Sequence, residues 1–501
     1  VIGLVSGTTL KFQVFKDGKP DESFVLSAAY MFGADSIPLH ATDKIRVKAG
    51  VIDCKRKNLD AAGLALLWPV EGFGRILLPT TRLPERKEPY ILNLELARAK
   101  LMQITLKRED WSIFDQEDDL TLLVDEAQGL FIESLRSIGD PPRAAALADQ
   151  SLYKALVFSE KLAAGYAEVL LEARCRRRAL GRHSLGCTID PDMLSNERYS
   201  KWLLEMFGFV TLPATWAQIE PQQGRFDFSH IDRCLEVLAG HRLAICVGPL
   251  LCFDDDHLPN WLRRDKCDFE HIRESAYEFV SRIVTRYSRF IHAWRLISGM
   301  NVKNLYGFNF EQIIEMTRTA CLAARTSETK SLKIVEILFP WGEYYAYDRD
   351  TIPPFVYADM IIQSGIGFDA FGLQFSFGRN SPGMHVRDMM QISSQLDYFS
   401  AVAKPVHVTG VSVPSGTADA DDDCTLAGTW HRPWDQVVQS EWIDSFYRIA
   451  LSKLFINSVT YSHLVDTDGV ASRQSGLLAK DFAPKEAFLA LAKLQKMIIN
   501  H

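Results

Sequence analysis

The sequence has no run of about 18 apolar residues, so no segment is long enough to cross a bilayer as a helix. It has no basic excess: 63 acidic residues stand against 56 basic ones, for a formal charge of −7. A broad nucleic-acid footprint needs the opposite sign, so neither nucleic acid nor a membrane is an expected partner. No Walker loop is present, and no GxGxxG opens a helix after a strand, which argues against a nucleotide- or phosphate-using enzyme. Nothing in the chain implies a cofactor. No CxxC pair occurs among the nine cysteines, at 54, 175, 187, 234, 246, 252, 267, 321 and 424. An odd, scattered set speaks against a disulfide framework or a cysteine metal cluster, and the expectation is buried thiols in a reducing compartment. Val1 to Phe12 lacks a basic lead and a small-residue cleavage site and is not read as a signal peptide, although a processed chain would look the same. The cytoplasm is the resulting expectation.

What is there is an ordinary globular mixture, 501 residues with 47% apolar and 24% charged side chains, long enough for several domains. The first part is strand-like. Lys11–Phe15, Ser23–Leu26, Lys44–Val51, Leu64–Trp68 and Gly72–Leu78 are short β-prone runs between turn residues. They predict a β-sandwich over 1–89, with a carbohydrate-binding module as an analogy. Its Tyr30, Phe32, Trp68 and Phe73 suit either a binding platform or a core. The core is favoured, because Leu64–Trp68 is too continuously apolar for a solvated face. Helical periodicity follows over 90–182, including Arg143–Leu180, whose basic end is read as solvated cations at a helix C-terminus. From 183 to 501, eight strand-like runs alternate with helical stretches: Ser184–Ile189, Phe207–Leu212, Leu243–Pro249, Ala293–Ser298, Leu332–Phe339, Phe368–Phe377, Pro405–Val413 and Ser458–Val465. The predicted class is α/β: a C-terminal (β/α)8 TIM barrel preceded by a sandwich and a helical region, with chemistry at the strand C-terminal ends.

Several stretches resemble the barrel of glycoside hydrolase family 10, the endo-1,4-β-xylanase fold. They are Trp216-Ala-Gln-Ile-Glu220-Pro221-Gln-Gln-Gly224-Arg-Phe226-Asp-Phe228, Gly240-His241-Arg-Leu243, Pro259-Asn260-Trp261-Leu262, Gly372-Leu-Gln374, and Gly476-Leu477-Leu478 with Pro484 and Phe488. They run in the right order over about residues 183 to 498. The resemblance implies a carbohydrate-active protein with a glycan ligand.

The family's acid/base glutamate closes a Trp-x-x-x-Asn-Glu strand end; here the segment reads Trp294-Arg295-Leu296-Ile297-Ser298-Gly299. Its nucleophile sits in a Thr-Glu-x-Asp run; here that run is Thr409-Gly410-Val411-Ser412. Both glutamates map to glycine, so the inherited retaining reaction has neither its proton donor nor its nucleophile. Sugar-gripping positions change too. The family's Glu-Asn-x-x-Lys-Trp becomes Thr211-Leu212-Pro213-Ala214-Thr215-Trp216, and its Trp-His becomes Cys246-Val247, give or take one position. Ser376 replaces a histidine, and Ser462 or His463 replaces a tryptophan.

Substitute carboxylates are Glu336, Glu343, Asp254 and Asp466. A pair about 6.5–9.5 Å apart would suit an inverting glycosidase. Trp216, Gln374, Trp341, His463 and Trp434 are the candidate substrate-binding residues, and Tyr344 and Trp430 also fall near strand ends. The run Trp430–Trp434 is the candidate recognition loop. Asp254–Asp256 and Asp419, Asp421, Asp422 and Asp423 lack an EF-hand spacing, and His407, His431 and His463 lack an HxxxH pair, so no metal is expected. Two functions compete: glycan binding or cleavage by a different mechanism, against an inactive assembly protein forming homo-oligomers, with helix 143–180 or a sandwich edge at the interface.

Overall fold

The computed structural model describes residues 8–40, 45–56, 60–111, 118–241, 243–264, 267–416, 423–467 and 474–500. The architecture is the expected one, a closed parallel barrel preceded by paired sheets and helices. Asp419, Asp421 and Asp422 lie outside the described residues.

Seven strands build the amino-terminal sheets: β1 (Thr8–Gln13), β2 (Tyr30–Phe32), β3 (Ile45–Lys48), β4 (Val51–Arg56), β5 (Gly63–Val70), β6 (Gly74–Pro79) and β7 (Tyr90–Ile91). One sheet runs β3-β4-β1-β7, with Phe12 opposite Ile52. The second places β6-β5-β2 in order, with Trp68 opposite Ile76. Asp17-Gly18 turns a small hairpin, as its left-handed backbone allows (φ 50° and 72°). Ser23–Leu26 forms no strand; the pairing falls to Tyr30–Phe32. Strand β5 is buried on both faces, with Leu64, Leu66 and Trp68 in the main core and Ala65 and Leu67 against Tyr30, Phe32 and the barrel's Ala346. Burial on both sides is why its sequence is continuously apolar. Tyr30, Phe32, Trp68 and Phe73 are all buried, so they are core residues rather than an exposed platform.

Three helices follow: α1 (Leu92–Asp110), α2 (Asp118–Arg136) and α3 (Pro141–Arg176). Asp140 caps α3, and Pro141-Pro142 occupy its first turn, where missing N–H groups cost nothing. Ala144, Ala145, Ala148, Ala155, Ala163 and Ala167 are buried. Helix α3 packs on α1, α2 and two barrel helices, α4 (Met389–Phe399) and α5 (Gln436–Ser452). Its small-residue side is therefore covered by its own chain. Arg174 is not a solvated cation: it is buried and donates to the carbonyls of Leu451 (2.7 Å), Lys453 (2.5 Å) and Ile456 (3.1 Å). The end of α5 leaves the Leu451 and Lys453 carbonyls without helical partners, and the guanidinium satisfies them together with that of Ile456 at the start of the following strand. Buried Lys100 on α1 pairs with buried Asp388 before α4 at 2.7 Å, which ties the helical layer to the barrel.

The barrel strands are β8 (Leu185–Thr188), β9 (Phe209–Leu212), β10 (Ala244–Val247), β11 (Ala293–Ser298), β12 (Leu332–Leu338), β13 (Ala370–Ser376), β14 (Val406–Ser412) and β15 (Ile456–Tyr461). All eight pair in parallel, and β10 closes on β11 through Cys246–Ala293 and Val247–Trp294. A further two-residue strand, Thr429–Trp430 from the loop after β14, pairs with Arg75 and Gly74 of β6. The expected recognition loop thus begins in a strand of the second sheet. Trp430 Nε1 and His431 Nε2 meet the two oxygens of Glu160 on α3 at 2.8 and 2.7 Å, and Trp434 is buried with its Nε1 donating to Gly428. No described helix is long and apolar enough to cross a membrane.

Candidate functional site

The C-terminal ends of β11 and β14 carry glycine, and their surroundings are filled. Gly299 has a left-handed φ of +72°, and a Cβ there would lie 3.0 Å from Leu338 Cδ1. A Cβ on Gly410 would lie 2.9 Å from Gln374 Cγ and 3.2 Å from Ser462 Oγ. Gln374 therefore occupies the volume over residue 410, partly open to solvent, with Ser462 and His463 at the next strand end. Burial pushes the His463 imidazole below its usual range against the pull of Asp190.

The remaining carboxylates sit in separate hydrogen-bond networks. Glu336 is fully buried on β12, where Arg295 Nη2 lies 2.7 Å from Oε2 and 2.6 Å from Oε1. Ser298 donates to Oε2 at 2.5 Å, and Thr409 donates to Oε1. Burial raises its pKa, but the Arg295 charge and these bonds outweigh it and hold the carboxyl below its ordinary range. Four strong contacts leave no lone pair directed at a substrate. Glu343 is equally buried in a second network: Gly383 N at 2.9 Å, His385 Nδ1 at 2.9 Å, and Arg387. There too burial is outweighed, chiefly by the Arg387 charge. Asp466 binds Lys485 (2.7 Å) and Gly476 N (2.8 Å). Asp254 binds His257 Nδ1 (2.6 Å) and accepts from Cys252 Sγ (3.3 Å). These partner sets are separate, so none of the four is shared with another candidate.

Trp216 is a correction of a different kind. It is fully buried, stacked on Phe279 at 5.1 Å, and its Nε1 donates to Glu220 at 2.7 Å. Glu220 also accepts from Gly224 N (2.8 Å), and its carbonyl takes Trp261 Nε1 (3.0 Å). The Trp216–Glu220–Gly224 motif is a self-bonded scaffold rather than a groove wall.

Trp341 remains partly exposed. Its ring faces the Arg387 guanidinium at 4.1 Å and meets Phe375 edge-on at 6.2 Å. It lines a cavity of about 390 Å³ between β2, the loop after β12 and helix α4. Tyr30, Phe32, Phe355 and Tyr398 supply further rings, and Arg387, Gln391 and Gln395 supply polar groups. Sequence reasoning missed Arg295, Arg387 and His385, because a buried cation looks like a surface one until its partner is placed. It also missed His257. The Cys252-x-Asp254-x-x-His257 spacing was the available signal.

The model for "Glycosyl hydrolase family 10" matches residues 176–306. The barrel is family 10-like. Over 130 residues the chain is 31% identical to endo-1,4-beta-xylanase A of Phanerodontia chrysosporium, covering 24% of this chain and 30% of that relative. The chain thus spans under a third of the curated relative it matches. A family 10 structure from Paenibacillus barcinonensis superposes with a TM-score of 0.50 at 17% identity, covering 63% of this chain and 96% of that one. Xylanase 10B of Thermotoga maritima gives 0.50 at 15%, covering 63% and 95%. Xylanase 10B of Thermotoga petrophila, in complex with xylobiose, gives 0.50 at 14%, covering 63% and 94%. The stretches Trp216 to Phe228 and Pro259 to Leu262 of the family 10-like barrel lie inside the matched residues.

Proposed function

We propose that this protein is carbohydrate-active: it binds a glycan and does not cleave it by the family's retaining mechanism. The observation that carries the reading is a family 10-like barrel with Gly299 and Gly410 at the two strand ends and neighbouring side chains packed over both. Retaining hydrolysis needs two carboxyls about 5–5.5 Å apart, one to protonate and one to attack. Glu336 and Glu343 do not substitute, because each is buried and ion-paired.

The cavity beside Trp341 supports binding. Flat rings cover apolar sugar faces, while guanidinium and amide groups answer hydroxyls. Its volume of about 390 Å³ lies in the range of small-molecule sites. Arg387 braces the Trp341 ring, so little ordering is left to occur on binding.

The test is calorimetry against xylo-oligosaccharides and a wider glycan panel, with product analysis of the same mixtures. Binding without new reducing ends is expected, weakened at least about tenfold by Trp341→Ala. No affinity for any glycan, or release of products with a trapped covalent sugar, would overturn the reading.

A further inference from the structure

One cluster at the barrel mouth is used by nothing described above. The two-residue strand Leu251–Cys252 follows β10 and pairs with the end of β11, with Cys252 opposite Ser298. The chain then turns, and Cys252, Asp254 and His257 bring one sulfur, one oxygen and one ring nitrogen within 4.8 Å of one another. The thiol points at Asp254 Oδ2 (3.3 Å), and His257 Nδ1 lies 2.6 Å from Oδ1.

The turn holds these donors in place. Asp254 Oδ1 accepts from the N–H groups of Asp256 (3.1 Å) and His257 (3.0 Å), and Leu305 N donates to Phe253 O at 3.0 Å. Those backbone bonds account for the aspartate. They give no reason for a thiol and an imidazole to converge on it. Cys252 is buried, whereas the side chains of Asp254 and His257 are 47% and 33% exposed, so a small ion has a route in from solvent.

We propose that Cys252, Asp254 and His257 form a binding site for a divalent transition-metal cation of the zinc class. Sulfur, imidazole nitrogen and carboxylate oxygen are the donor types that zinc takes, and hard ions such as Ca²⁺ and Mg²⁺ reject the sulfur. Donors at zinc bond lengths of about 2.0–2.3 Å and tetrahedral angles lie about 3.3–3.8 Å apart. Cys252 Sγ already lies 3.3 Å from Asp254 Oδ2, and all three donor atoms lie within 4.8 Å of one another, so side-chain movements of about 1 Å reach that arrangement. Asp254 binds through Oδ2 and keeps its turn bonds on Oδ1. The remaining coordination position faces solvent and takes water.

The proton count is explicit. The Cys252 S–H bond breaks, its electron pair forms the sulfur–metal bond, and the proton goes to solvent. The His257 Nδ1 proton now in the bond to Asp254 Oδ1 is lost to solvent as Nε2 takes one up, so the ring carries a single N–H on Nε2 and its Nδ1 lone pair forms the nitrogen–metal bond. One proton is therefore released per cation bound.

The test is titration of the reduced, chelator-treated full chain with Co²⁺ and then Zn²⁺. One equivalent of Co²⁺ is expected to produce a thiolate-to-cobalt charge-transfer band, which Zn²⁺ then removes. Cys252→Ser, which keeps the hydrogen bond to Asp254, should abolish the band. It should also weaken binding by more than about 100-fold, beyond the about 10–100-fold of changes outside a ligand set. Asp254→Asn keeps an acceptor for the turn, so it separates loss of metal from loss of fold; it should retain the native circular dichroism and bind weakly. His257→Ala should also bind weakly, and Cys267→Ser should bind like the parent. Absence of a thiolate band, or a band unchanged in Cys252→Ser, would overturn the site.

Discussion

The side chain of Gln374 lies over the Cα of Gly410, so close that the first carbon of any side chain there would sit 2.9 Å from Gln374 Cγ. The space over residue 410 is therefore closed by packing. Placing glutamates at both positions, as Gly299→Glu with Gly410→Glu, is expected to yield no xylan cleavage and no covalent adduct with a mechanism-based fluorosugar. Each change should cost about 1–3 kcal/mol by overpacking, and Gly299 adds about 1–2 kcal/mol for its left-handed backbone. Mass spectrometry and urea unfolding read the two effects; an adduct at residue 410 would show that Gln374 yields.

The Arg295–Glu336 pair gives a second expectation. Removing one partner strands a buried charge, so Arg295→Met should cost about 3–5 kcal/mol. The double variant Arg295→Met/Glu336→Met should recover most of that loss. Equal instability of single and double variants in denaturant titrations would contradict the pairing.

His407 predicts a pH dependence. Burial lowers its pKa from 6.5 to about 4; its Nδ1 meets Ser458 Oγ at 2.7 Å, and its Nε2 has no hydrogen-bond partner among the described residues. The unfolded chain takes up the proton first, so stability should fall as pH drops from 6.5 and level off below 4. His407→Gln should flatten the urea midpoint across that window. A slope unchanged in the variant would locate the effect elsewhere.

The seam between sandwich and barrel is testable at Gly74. Its φ is +117°, and a Cβ would lie 2.5 Å from Thr429 O. Gly74→Val should therefore expel the Thr429–Trp430 strand, at about 2–4 kcal/mol from backbone strain and steric overlap together. Hydrogen exchange should rise across 428–434 while the barrel strands stay protected. Unchanged exchange there would show that the pairing with β6 is not needed.

Much of this protein was legible in one dimension. The eight barrel strands, the Asp140-Pro141-Pro142 helix start and the two glycines could be read because each depends on neighbours a few residues away. The family resemblance was equally legible, and the structure shows what holds its longest motif in place. Trp216, Glu220, Gly224 and Trp261 bond to one another, so the motif is held by folding rather than by chemistry. Tertiary structure alone decided that Trp216 faces inward and that Trp430 serves the sandwich. It also decided that Glu336 and Glu343 are paired with buried guanidinium groups, and that Cys252, Asp254 and His257 converge. The physical reason is range: the partners of these groups include residues 41 positions away, for Glu336 and Arg295, and 354 away, for Arg75 and Thr429. A carboxylate reads the same in sequence whether it meets water or a buried guanidinium, and only the fold sets which of the two it meets.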